Sequence, residues 1–578
     1  MGAHYTPPLL AQFLADRLAQ RTRLDGRGPL RILDPACGDG ALLEALLGSL
    51  KNVGMPQGCL VVGVEADHGA IPQAQSRLDR AGALSCRLIA ADFLDLVTRR
   101  HSQGLLWESP SPEPDFEGAF DIVIANPPYV RTQILGAEKA QQLAVRYGLS
   151  GRVDLYHAFL VAATETLKPG GLMGIITSNR FLSTLGGSSI RGYLASNYEI
   201  EEVIDLGDTK LFEAAVLPAI LIGRRRSETF GSPTGSRSPF IKVYSVPHPT
   251  CDMVQGATPA ARVMDALKQG KPGFYETPQG LFKLTTGDFV LGKDPTQVWC
   301  LSTPEEATWL NRARAGARGV FGDVAAVRVG IKTTADDVFI RSDWDTLAPE
   351  MRPEPDLLRP LLRHEDARPW ALPKTAVPVA QILYPHEVSD GRRKAVDLSR
   401  YPRTKAYLES NRARLEKRPY VLEAGRAWYE IWVPQDPSRW SMPKIVFPDI
   451  SHEPRFYLDL QGHLVDGDCY WMTLHPHAPP DMIYLLLAVA NSSLATRFHD
   501  LAFNNRLYSA RRRYITQYVA KYPFPEPASS ASRGVIALTK QVCRDIRCQD
   551  EWTEHPACTE LDRLVYAAFG LDPAEGLP

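Results

Sequence analysis

Seven short apolar runs, separated by amphipathic stretches, occupy the first 225 residues of the 578-residue chain. No other feature limits the fold as much. The runs are Arg31–Leu33, Leu60–Glu65, Arg87–Ala90, Phe120–Ala125, Leu172–Thr177, Glu202–Leu206 and Ala219–Ile222. Several are continuous rather than alternating, the pattern of strands covered on both faces. Between them Ala41–Leu50, Ala70–Ala81 and Leu155–Leu167 read as helices. Strand and helix in alternation predict an α/β domain on a mostly parallel, doubly wound sheet.

Two segments interrupt this rhythm. Glu108–Asp115, with three prolines, reads as a surface loop, and Ser227–Pro239 as a domain boundary or long hairpin. Beyond it the strand–helix alternation is lost. Residues 246–530 predict a mixed α+β domain with strand-like runs such as Lys444–Phe447, and residues 531–578 a helical tail from Val535 to Phe569. A first domain over 1–245 completes the division, in keeping with roughly 100–200 residues per domain.

Composition narrows the class. Hydrophobic residues at 44% and charged residues at 23% exclude wholesale disorder. The 65 Lys+Arg nearly balance 66 Asp+Glu, so an anionic partner has to be met by local patches. Met1–Pro7 has no signal-peptide pattern. The longest apolar run, Met482–Ala490, falls far short of the roughly 18 residues of a membrane span. Nine scattered cysteines fit a reducing compartment, and a monomer of the cytoplasm without membrane attachment is expected.

The first strand runs into Asp34-Pro35-Ala36-Cys37-Gly38-Asp39-Gly40 and then a helix. Glycines here allow a tight turn and close approach to a ligand at the sheet's carboxyl edge. The spacing is not that of a dinucleotide loop. Glu65 ends the second strand, placed to accept hydrogen bonds from ribose hydroxyls. Asp92-Phe93 follows the third, placed to bond an adenine amino group and pack on its ring. An acid ending a strand is ordinarily a helix N-cap. Three such features at successive strand ends favour a nucleoside-like cofactor.

The fourth strand ends in Asn126-Pro127-Pro128-Tyr129. Two prolines fix φ and remove two donors, giving a stiff turn that presents carbonyls and one aromatic ring. The Asn126 side-chain oxygen and the Pro127 carbonyl can each accept one N–H of a planar amino group. That gathers its lone pair for attack on a methyl group, with Tyr129 stacking on the attached ring. Orientation and electrostatics then suffice, and no metal is expected.

The order Tyr5-Thr6-Pro7, Asp34–Gly40, Glu65, Asp92-Phe93, Asn126–Tyr129 and a long C-terminal region resembles the gamma group of DNA adenine-N6 methyltransferases of restriction–modification systems, the Taq-type enzymes. The resemblance implies a Rossmann-like fold dependent on S-adenosylmethionine, followed by a target-recognition domain. It implies that Thr6 touches the methionine part of the cofactor, that the loop with Ala36, Gly38 and Gly40 wraps it, that Glu65 holds the ribose, and that Asp92 and Phe93 hold the adenine. Asn126, Pro127, Pro128 and Tyr129 would form the catalytic tetrad, Asp154–Phe159 would line the target pocket, and Phe212 would pack the flipped base. Double-stranded DNA is the implied substrate, its target base taken out of the helix. A separate cognate restriction endonuclease is a candidate partner; with motifs beginning at Tyr5, a nuclease fused upstream is not expected.

The C-terminal region offers Arg506, Tyr508, Arg511, Arg512 and Arg513 in a stretch, Leu501–Tyr522, without Asp or Glu. Such cations and tyrosines suit phosphates and guanine edges; a solvated cationic face is the plain alternative. Asn504–Tyr508 and Val329–Phe339 are similar to segments of the Taq-type recognition region, and Arg224–Arg226 could add phosphate contacts. Cys543, Cys548, His555 and Cys558 do not have common zinc-ligand spacing. Methylation of cytosine N4, an RNA base or a protein glutamine stays open on the motif alone, as does an inactive DNA-binding subunit. A C5-cytosine enzyme is disfavoured because there is no Pro-Cys pair.

Overall fold

The computed structural model describes residues 5–23, 28–54, 58–83, 85–102, 116–129, 137–150, 154–211, 217–227, 235–246, 249–373, 378–389, 391–503, 506–507 and 511–576. The loop at Glu108–Asp115, Phe212 and Tyr508 lie outside the described residues. Two compact units are formed: Met1–Glu306 with Phe503–Ala510, and Ala307–Ala502 with Arg511–Pro578.

The seven expected strands of the first unit are present as β1 (Leu30–Asp34), β2 (Cys59–Glu65), β3 (Ser85–Ala90), β4 (Phe120–Ala125), β5 (Leu167–Ser178), β6 (Tyr198–Asp205) and β7 (Pro218–Arg225). Helices α1 (Pro8–Arg21), α2 (Ala41–Asn52), α3 (Ile71–Ala81) and α4 (Phe93–Ser102) accompany them. Pro8 opens α1, where its missing N–H costs no helical bond. β2, β1, β4 and β5 are parallel neighbours, and β7 runs antiparallel between β5 and β6. Alternate residues feed two cores. Ile32, Ile122 and Ile124 face α1 and α2, whereas Leu33, Val123 and Ala125 face the helix Leu155–Thr166.

The sheet does not stop at residue 245. β8 (Arg237–Ser245) pairs in parallel with β6, and β9 (Thr258–Pro259), β10 (Gly273–Thr277) and β11 (Gly280–Val290) extend it in the order β8-β11-β10-β9. Arg237–Pro239 therefore belongs to a strand. The expected hairpin is not formed, because β6 lies between β7 and β8. The division between units falls near Glu306, since β8–β11 bury Phe240, Tyr275, Phe282 and Leu284 against the sheet's own core.

The second unit is mixed α+β. Ala325–Val329, Cys469–Leu474, Lys444–Pro448 and Tyr457–Asp459 form one antiparallel four-stranded sheet over a core rich in Trp344, Trp440 and Trp471. The apolar run at 482–490 is a buried helix, Met482–Asn491. The tail is two helices, Ser530–Arg547 and Cys558–Ala568, both in contact with it. No helix among the described residues is long and apolar enough to cross a membrane.

Candidate active site

Because β2, β1 and β4 are parallel neighbours, their carboxyl ends set Glu65, Asp34 and Asn126 side by side at one edge. The turn after β1 folds over the end of β2. Cys37 N–H bonds the Val64 carbonyl at 2.9 Å, and Gly38 N–H donates to Glu65 Oε2 at 2.8 Å. Asp67 N–H donates to the other Glu65 oxygen, also at 2.8 Å. Each Glu65 oxygen keeps acceptor capacity beyond its one backbone donor. Gly38 and Gly40 have φ of 49° and 83°. A Cβ on Gly38 would press the Tyr5 ring at 3.2 Å, and one on Gly40 the Ala74 backbone at 3.1 Å.

Asp34 is fully buried. Its Oδ1 accepts from Ala36 N–H at 3.0 Å, and Oδ2 has no hydrogen-bond partner among the described residues. Burial, with Glu65 nearby, raises its pKa from the ordinary 3.8 to about 8. The folded protein then holds a proton between about pH 4 and pH 8 that the unfolded chain has released. The resulting stability is complete below pH 4 and falls as pH rises towards 8, by at most about 1.4 kcal/mol per pH unit. Urea unfolding of Asp34→Asn alongside the parent, from pH 5 to pH 8, should show that slope only in the parent.

Asp92 caps α4, its Oδ1 accepting from Leu94 N–H at 2.9 Å. The role expected for the Phe93 ring is not met. Phe93 is only 1% exposed and packs on Phe116 and Phe159, because as first residue of α4 it turns into the core.

Asn126 is half-buried, Pro127 buried, Pro128 exposed and Tyr129 half-buried. Asn126 Nδ2 donates to Thr6 Oγ1 at 3.0 Å, and Tyr129 donates its hydroxyl to Asn126 Oδ1 at 2.6 Å. Desolvation holds the Tyr129 phenol well above its ordinary pKa, so it stays a neutral donor. The Thr6 bond fixes which way the amide faces. Thr6→Val is expected to lower kcat about three- to tenfold, the value of one hydrogen bond of 0.5–1.5 kcal/mol, with Thr6→Ser near the parent. A change confined to the donor's KM would show instead that Thr6 serves the cofactor alone. Of the helix Leu155–Thr166, Tyr156 and His157 are buried. Burial lowers His157 to about 4, leaving it neutral, and neither ring nitrogen has a hydrogen-bond partner among the described residues.

The C-terminal cations, contiguous in sequence, are divided between the units. Arg506 joins the first, its guanidinium 5.9 Å from the Tyr244 ring, whose hydroxyl donates to Asp205 at the end of β6. In the second unit Arg512 forms a bidentate pair with Asp500 at 2.7 Å, and Arg513 pairs with Asp449 at 3.0 Å. Arg511 is exposed and donates to His452 Nε2 at 3.2 Å. Arg224–Arg226 do not reach the carboxyl edge: Arg224 lies opposite Leu172, midway along β5 and away from its carboxyl end at Ser178, and pairs with Glu201. Antiparallel β7 carries them to the far side of the sheet.

Residues 84–212 match the Eco57I restriction-modification methylase family. Over 99% of this chain and 97% of the relative, the sequence is 40% identical to the type II methyltransferase M.BanIII of Aneurinibacillus aneurinilyticus. The chain belongs to the type II methyltransferases of restriction–modification systems. This type II methyltransferase is also 25% identical to M.BstVI of Geobacillus stearothermophilus, over 91% of the chain and 90% of the relative. Among solved structures, the ATP-dependent type ISP enzyme LlaBIII bound to DNA aligns with a TM-score of 0.49 at 11% identity, covering 96% of this chain and 40% of that one.

The methyltransferase's cofactor is S-adenosylmethionine. The residues present fit it. Asp34 Oδ2 is a buried polar atom left without a partner at this edge among the described residues, open to a polar ligand, and Glu65 is a carboxylate already oriented by two backbone donors.

Proposed function

We propose that this methyltransferase modifies the N6 amino group of adenine in a duplex recognition sequence, as the gamma group does, and so protects that sequence from a cognate restriction endonuclease. The observation that carries the reading is the Asn126 amide, anchored through Nδ2 by Thr6 at the end of β4, beside the Asp34 and Glu65 ends of β1 and β2. Bound S-adenosylmethionine would supply an activated methyl group, its sulfonium sulfur keeping the S–CH3 bonding pair and leaving as a neutral thioether.

The chain's own residues do the rest. Asn126 Oδ1 has two lone pairs; Tyr129 occupies one, and the other can accept an N–H of the target. The Pro127 carbonyl accepts the second N–H, and the amino nitrogen's lone pair is turned towards the methyl group. As the N–CH3 bond forms, the nitrogen loses one proton to water or to an acceptor oxygen. Tyr129 holds the ring by stacking, with Phe212 assigned to its other side. The Asp34–Gly40 loop, Glu65, Asp92 and the Tyr5–Pro7 segment hold the donor. Tyr129→Phe, which keeps the ring, is expected within about tenfold of the parent. Tyr129→Ala should lose about 1–3 kcal/mol of base stacking, read as higher KM for DNA.

The test is to incubate unmodified duplex DNA, RNA and a glutamine-bearing protein with methyl-labelled donor and hydrolyse each product. Label recovered as N6-methyladenine from the duplex is the expected result. Label on cytosine N4, RNA or glutamine would overturn the assignment.

A further inference from the structure

Arg512 and Arg513 are each paired to a carboxylate, and the second unit carries further exposed cations on a two-stranded ribbon. His386–Ser389 and Arg392–Ala395 form an antiparallel ribbon in which Val388 faces Arg393 and Ser389 faces Arg392. Arg392, Arg393 and Lys394 are consecutive and all exposed, beside Val388 at 46% exposure. Strand alternation sends Arg392 and Lys394 to one face and Arg393 to the other, so both faces are cationic. Glu387, opposite Lys394, is the ribbon's own described acid and lies 3.7 Å from Arg400. Neither Arg392 nor Arg393 has a carboxylate partner among the described residues.

The ribbon is anchored at its base. His386 is buried, and its Nε2 accepts from Ile431 N–H at 3.2 Å. Arg393 donates to the Gln435 carbonyl at 3.2 Å, and the Gln435 amide donates to the Val329 carbonyl at 2.9 Å. Gln435 and Thr334 both hold left-handed φ, 63° and 60°, and between those two turns Lys332 bridges to Val433. Lys332 is exposed. Three exposed cations and Lys332 are thus tied to one rigid frame around Gln435.

We propose that this ribbon, with Lys332, is a duplex-DNA contact surface of the second unit: the two strands enter a groove, and the cations meet flanking phosphates. B-DNA's major groove admits a two-stranded ribbon, and side chains on both faces reach both groove walls. The inference rests on the duplex-DNA reading above.

Salt titration of binding to unmodified plasmid duplex tests it. Each lost phosphate contact lowers the slope of log K against log salt by about 0.9. Arg392→Ala/Arg393→Ala/Lys332→Ala should reduce the slope by about 2–3, with at least about tenfold weaker binding at low salt. Arg392→Ala/Lys332→Ala, which spares the Gln435 anchor, should lose about 2. The calorimetric affinity for S-adenosylmethionine serves as the folding control. An unchanged slope in both variants, with the parent still binding, overturns the ribbon's role. A parent protein that binds no duplex overturns the DNA reading and this proposal with it.

Discussion

Asn126→Ala is expected to lower kcat by about 10²–10³-fold, the scale of removing one preorganised polar group from a reacting centre, while the affinity for S-adenosylmethionine changes less than about twofold. The split follows from placement. Asn126 stands at the end of β4, with Nδ2 on Thr6 and Oδ1 accepting from Tyr129, while the oriented carboxylate of Glu65 belongs to β2. Alanine removes the acceptor and leaves the Tyr129 hydroxyl and Thr6 without their shared partner. Single-turnover methylation with excess enzyme measures the chemical step. Turnover at the parent rate would remove Asn126 from the mechanism.

The second large effect concerns stability. Lys444 and Asp459, on adjacent strands of the second unit, are both buried and meet at 2.5 Å. Lys444 also donates to the Trp440 carbonyl at 2.7 Å, and Asp459 accepts from Gln461 N–H and His463 N–H. Burial lowers the Lys444 pKa. At Asp459 burial works against the charge, but His463 and Lys444 outweigh it and hold the carboxyl below its ordinary value. Removing either partner alone strands a buried charge, so Lys444→Ala or Asp459→Asn should cost about 3–5 kcal/mol. Lys444→Met/Asp459→Leu should recover most of that, because the desolvation penalty disappears with both charges. Equal losses in single and double variants, read from urea midpoints, would refute the argument.

The parts of this molecule that can be read from sequence are those decided locally. β1, β2 and β4 to β7 show as apolar runs because each is covered on both faces, and β3, at the sheet's edge, is only half-buried. β11 escapes because Lys283, Thr286 and Asp288 interrupt its apolar residues, and β8 because its first residues sit in a turn-rich stretch. Asp34, Glu65 and Asn126 read as one candidate site because parallel strands put their carboxyl ends on one edge. The Thr6–Asn126 bond spans 120 residues and leaves no local signal. Phe93 was misplaced because a motif gives a residue's position but not the face it turns to. Arg512 and Arg513 looked free because their carboxylates, Asp500 and Asp449, stand outside the acid-free window.

The short excursion Phe503–Ala510 belongs to the first unit although its neighbours on both sides belong to the second. The polypeptide therefore crosses between the units three times, after Glu306, Ala502 and Ala510. A gene exchange with one crossover near codon 306 would give a hybrid whose first unit carries a foreign Arg506 segment against its own Tyr244. Exchanging the second unit intact would take three junctions rather than one, which ties the two halves into a single heritable block.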